Sequence, residues 1–138
     1  MSPFNPQDAL VATMILTAAA DSRMSARETE AITAMVGLLP AFRGFDPARV
    51  SEISSIVLQM LQEDDGIEQI LDLIDGSLPE TLRETAYALA CDVAAADGQV
   101  ALEEIHLLEI MRHHLAVDRL SAAAIERGAR ARHRPIGG

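Results

Sequence analysis

The chain has 138 residues, 49% hydrophobic and 23% charged, which suits one compact domain with a core of its own. Its formal net charge is -10, and residues 1 to 126 alone carry seven arginines against 21 acidic residues, a net -14. Such a field repels phosphate backbones and attracts cations or basic partners, so nucleic-acid binding is excluded from the functions expected of the body.

Only four aromatic residues occur, and the apolar content is mostly Ala, Leu, Ile, Val and Met, which favours close-packed helices over strands. An all-α fold is predicted. Cys91 stands alone and forms no internal disulfide, and Met1 to Asp8 lacks the basic segment of a signal peptide, so a reducing, cytoplasmic setting is expected. The longest uncharged apolar run, Ala9 to Ala20, falls short of the roughly 18 residues that span a bilayer, and no transmembrane segment is expected.

In chain order, Asn5-Pro6 reads as a cap and first helical position, opening a helix to about Ala20 that is apolar nearly all round and therefore central. Asp21 to Met24 is a turn, and Ser25-Ala26-Arg27-Glu28 has the Ser-x-x-Glu pattern of a capping box at the head of a second helix. Gly37 to Asp46 is a connector in which Phe42 and Phe45 are expected to plug the core, and Asp46-Pro47 opens a third helix to about Gln62. After the acidic turn Glu63-Asp64-Asp65-Gly66, a short fourth helix places Ile67, Ile70, Leu71 and Ile74 inward and ends near Asp75-Gly76.

Ser77 to Glu80 starts a fifth, Ala-rich helix. The sixth runs from about Ala101 to Leu115 with Ile105, Leu108, Met111 and Leu115 as its apolar face. Asp118 or Ser121 caps a seventh helix to about Ala131, and residues 132–138 form a basic tail expected to fray. The prediction is a single domain over residues 1–131, a bundle of about seven helices.

The bundle contains an internal repeat. Shifting the sequence by 76 residues aligns Ala18-Ala19-Ala20-Asp21 with Ala94-Ala95-Ala96-Asp97, Met24 with Val100, and Glu28 with Glu104. Two pseudo-repeated helix-turn-helix halves are therefore expected, with Gly98 at positive φ in the second turn.

Asp97 to Glu104 matches the second half of a calcium-binding EF-hand loop, with an Asp, the turn Gly, an apolar residue and a Glu six after the Gly. The first and third ligand positions of that register fall on Val93 and Ala95, which excludes a regular EF-hand. Two readings stay open. The residues are purely structural, serving as turn, cap and first-turn carboxylate; or Asp97 with Glu104, and Asp21 with Glu28, form small carboxylate sites for a weakly bound divalent cation, completed by water or by Asp92.

Helix-Ala-Ala-x-Asp-Gly-x-Val-x-x-x-Glu-helix, repeated in degenerate form early in the chain, resembles the TerB family of tellurite-resistance-associated proteins, to which the N-terminal region of the DjlA co-chaperones is also similar. The resemblance covers roughly residues 5 to 130, with Asp97, Gly98, Val100 and Glu104 matching directly and Asp21, Met24 and Glu28 matching in the first half, where Ser22 replaces the glycine. It implies an acidic, all-helical, bacterial, non-catalytic module that binds a metal ion or a protein partner in a stress or tellurite-resistance setting. A co-chaperone-type interaction domain without metal, and less favourably a metal-dependent enzyme, are the alternatives.

His106, Glu109 and His113 share one face of the sixth helix at chelating spacing, against the plainer reading of an exposed polar stripe. Cys91 reads as a small buried hydrophobe. The acidic run Glu63, Asp64, Asp65, Glu68, Asp72 and Asp75 reads as a solvated face suited to a basic protein partner. Arg127, Arg130, Arg132 and Arg134 suit anionic lipid or the acidic body of another copy, so homo-oligomerisation stays open.

Overall fold

A computed structural model describes residues 4–20, 24–96 and 102–137. Among these the chain forms seven α-helices and no strand: α1 Pro6–Ala18, α2 Ala26–Leu38, α3 Arg49–Met60, α4 Gly66–Ser77, α5 Arg83–Ala95, α6 Leu102–His114 and α7 Arg119–Arg132. None of the described helices is long and apolar enough to cross a membrane.

α1 is the central rod. Every residue from Asp8 to Ala18 is buried, because α2, α3, α4, α5 and α6 all pack around it. Its most extensive neighbour is α5, an alanine-rich helix. The two threonines inside α1 hide their hydroxyls by donating back along the helix, Thr13 to the Ala9 carbonyl and Thr17 to the Thr13 carbonyl, each at 2.8 Å. Both buried hydroxyls are thereby satisfied. α7 lies outside this cluster and packs on α5.

The N-terminus of α1 is fastened twice. Asn5 and Asp8 form a reciprocal capping box, and Asp8, only 2% exposed, also accepts from Arg49 of α3, at 3.1 Å from Nε and 2.7 Å from Nη2. Phe42, buried, and Phe45 meet edge to face with centroids 5.7 Å apart, closing the connector over the core as expected. Asp46 accepts from the Ala48 amide, so the proline signal opens a turn and α3 begins only at Arg49.

Two apolar faces differ from their sequence reading. Along α6 the buried arc is Glu104, Leu107 and Met111, continued by Leu115, whereas Ile105 is 48% exposed. The arc includes a carboxylate, so ranking positions by hydrophobicity rotated the face by one residue. Along α4, Ile70, Leu71 and Ile74 are buried but Ile67 is 42% exposed, because it stands in the first turn, beyond the edge of the packed layer. α4 also runs through Gly76 to Ser77.

α2 and α6 span ranges that lie 76 residues apart at both ends, and α1 and α5 follow the same offset within one residue. Asp21, Asp97, Gly98 and Val100, on which the expected equivalence of the two turns and the positive φ at Gly98 rest, lie outside the described residues.

Candidate functional site

The candidate site is built at the heads of α2 and α6. Ser25 precedes α2 with extended backbone, its Oγ accepts the Glu28 amide at 3.0 Å, and Glu28 Oε1 accepts the Ser25 amide at 3.1 Å. This is the capping box that the sequence pattern required, and it satisfies two orphan amides at once. The reciprocal bond draws the Glu28 side chain back over the helix end, where it is only 4% exposed.

Glu104 takes the same station in α6: it is the third residue of its helix and also 4% exposed. Both carboxylates are placed where the helix dipole favours negative charge. Carboxylate oxygens are the donors that hard divalent cations take, so the residue types fit such an ion. The other members of the expected pairs, Asp21 and Asp97, lie outside the described residues, and among the described residues no three His, Cys, Asp or Glu side chains converge.

The histidine stripe follows its plainer reading: His106, Glu109 and His113 are all exposed, and His113 Nε2 is 3.1 Å from Arg112 Nη2. Cys91 is buried beneath α7, and burial, followed by the nearby Glu126 charge, pushes its thiol up to about 12. At neutral pH it is a thiol and not the thiolate that a nucleophile requires.

An apolar groove, which the sequence reading did not find, opens beside the α6 head. Its volume is about 710 Å³, and Leu16, Met24, Leu58, Leu61, Ile67 and Ile110 line it, with Glu103 and His106 at the edge. Leu58 and Ile67 are exposed there. The acidic turn between α3 and α4, Glu63, Asp64 and Asp65, is exposed and follows directly on the groove residue Gln62. The sequence signal was Ile67 itself, an apolar residue one turn ahead of the buried set.

A family model described as tellurite resistance protein TerB matches residues 7–127. The chain belongs to the TerB family. No curated protein and no solved structure matches it.

In this TerB family chain the match ends inside α7, yet residues beyond it are tied to the body. Asp92 of α5 accepts from Arg132 Nη2 at 2.7 Å and Nε at 3.2 Å, and His133 Nε2 lies 3.3 Å away. Asp92 is therefore engaged by the end of α7. The Asp97 that the sequence reading paired with it lies outside the described residues. Asp75, at the end of the acidic run, is likewise bonded to Arg83, while Glu63, Asp64, Asp65, Glu68 and Asp72 remain exposed.

Proposed function

We propose that this TerB family chain is a cytoplasmic, non-catalytic binding module that offers helix-head carboxylates to a divalent cation in a bacterial stress or tellurite-resistance role. The observation that carries this reading is the shared station of Glu28 and Glu104, two acidic side chains buried at the third position of helices whose spans lie 76 residues apart. Each follows an aspartate by seven residues in the sequence, Asp21 or Asp97. The strongly acidic body raises the local cation concentration around both. With so few protein oxygens the affinity is weak, of millimolar order, because tight calcium sites use six to eight oxygen ligands.

The test is titration of wild type and of Asp97→Asn/Glu104→Gln with calcium, magnesium, manganese and zinc, followed through backbone amide shifts. Shifts confined to the heads of α6 and α2 in wild type, and lost at α6 in the double variant, are expected. Identical diffuse shifts in both proteins would reduce the effect to nonspecific attraction and leave the carboxylates a structural role.

The exposed groove supports a second reading, a protein partner. Its apolar lining, with acidic residues at the adjoining α3–α4 turn, has the complement of a basic amphipathic helix. Leu58→Glu, on an exposed position, should abolish binding of an arginine-rich amphipathic peptide and leave the cation titration unchanged.

A further inference from the structure

A second groove, of about 540 Å³, lies on the other side of α6, between α6 and α7 over α5. The three helix directions follow from the contacts. Tyr87 donates to Glu126 and Asp92 accepts from Arg132, so α7 runs alongside α5 in the same sense. Arg83, the first residue of α5, reaches the carbonyl of His114, the last of α6, so α6 runs the opposite way.

Arg112, near the end of α6, and Arg119, the first residue of α7, consequently stand together at one end of the groove. Ile105, Ala94 and Ala95 line the other, with Arg130 of α7 at its rim. Two arginines thus stand at one end of the groove against one at the other.

We propose that this groove binds a single-chain amphiphile with an anionic head, a long-chain carboxylate or phosphate. The head pairs with Arg112 and Arg119, and the chain runs toward Ile105 and Ala95. Charge complementarity supports this occupant. On a chain of net charge -10, neither guanidinium has a carboxylate within salt-bridge distance among the described residues. Arg112 is already held in place by donating to the Val117 carbonyl at 3.3 Å, and planar guanidinium groups match carboxylate and phosphate oxygens.

The acidic lining residues orient the ligand. Glu126 accepts the Tyr87 hydroxyl at 2.6 Å in mid-groove, and Glu109 stands one turn ahead of Arg112, so an anion is disfavoured along the middle of the groove. Arg130 stands at the rim one turn beyond Glu126. The volume falls within the range of small-molecule pockets, about 300 to 1,000 Å³. A partner helix would instead need apolar and polar groups divided across the groove's width.

Tyr87 lines this groove and is the chain's one tyrosine, in a sequence without tryptophan, so intrinsic fluorescence reports on the site directly. The probes are laurate, dodecyl phosphate, dodecanol, dodecyltrimethylammonium and acetate, each below its micelle concentration, with stoichiometry from calorimetry. One-to-one, saturable binding of laurate or dodecyl phosphate is expected, at least tenfold tighter than dodecyltrimethylammonium or acetate; the tighter of the two anions identifies the head group.

Arg119→Gln, on an exposed side chain, should weaken both anions at least fivefold and leave dodecanol unchanged. Ala123→Leu, also exposed, should narrow the groove and weaken every long-chain probe. Equal binding of laurate, dodecanol and the cationic probe, or an Arg119→Gln protein that binds laurate like wild type, would overturn the assignment. So would an acidic amphipathic peptide that alters Tyr87 emission where laurate does not.

Discussion

Glu28 and Glu104 occupy the same station in two helices 76 residues apart, each third in its helix and each almost wholly withdrawn from solvent. Their substitutions separate architecture from binding. Glu28→Ala removes one half of a capping box and should cost about 1 kcal/mol. Glu104→Gln keeps the shape and removes the charge. Calcium at about ten times its Kd should stabilise wild type by roughly 1.4 kcal/mol for each occupied helix head through linkage. In Glu104→Gln the α6 increment should be lost and the α2 increment kept, as read by thermal melts with and without the ion; an equal calcium response in both proteins would count against the α6 site.

Gly66 marks the place where α4 begins against the end of α3. A Cβ added there would lie 2.2 Å from the Met60 carbonyl oxygen, a backbone atom that cannot swing away. Gly66→Ala should therefore destabilise by about 1 to 3 kcal/mol. Gly76, in the last turn of the same helix, has open space around its Cα. Gly76→Ala should be neutral or stabilise by up to about 1 kcal/mol. Urea denaturation of the pair checks both signs at once.

The helices were legible because their signals are local. An all-apolar run gave the central α1, Ser25-x-x-Glu28 gave the head of α2, and the family motif sits on the α6 head. What the sequence concealed depends on partners far along the chain. Nothing local to Asp8 marks it, since the arginine that holds it comes 41 residues later. The α6 face was misjudged because a buried Glu104 does not look like a core residue. Likewise Asp92 looked like a spare ligand until α7 brought Arg132 and His133 to it.

Asp8 ties two helices together, so its removal should be felt beyond α1. Asp8→Ala breaks the box with Asn5 and leaves Arg49, among the described residues, with only the distant Glu52, 3.9 Å away. A lower melting temperature is expected, together with faster hydrogen exchange at the heads of both α1 and α3. Asp8→Asn should recover part of the α1 protection, because the amide oxygen still accepts, but not the α3 protection, which needs the ionic partner. Equal protection at α3 in wild type and Asp8→Asn would mean that Arg49 contributes nothing there.

Tyr87 and Cys91 together make stability fall on the alkaline side. Burial first, and then the Glu126 carboxylate that accepts its hydroxyl, raises the Tyr87 phenol well above its ordinary range; burial and the same carboxylate push the Cys91 thiol up to about 12. Both groups are neutral in the fold and both ionise more readily once unfolded. Their contribution is complete below the unfolded values, about 8.5 for a thiol and about 10 for a phenol, and is lost as pH rises through those values toward the folded ones. The melting temperature should hold from neutral pH to about 8, decline above about 8.5, and steepen above about 10. Cys91→Ala should remove the first decline and Tyr87→Phe the second. Tyrosinate absorbance, read beside circular dichroism during an alkaline titration, supplies the check: it should appear only as helicity is lost, and a phenol that ionises in the intact helical protein near its ordinary pKa would show that the Tyr87–Glu126 bond does not shield it.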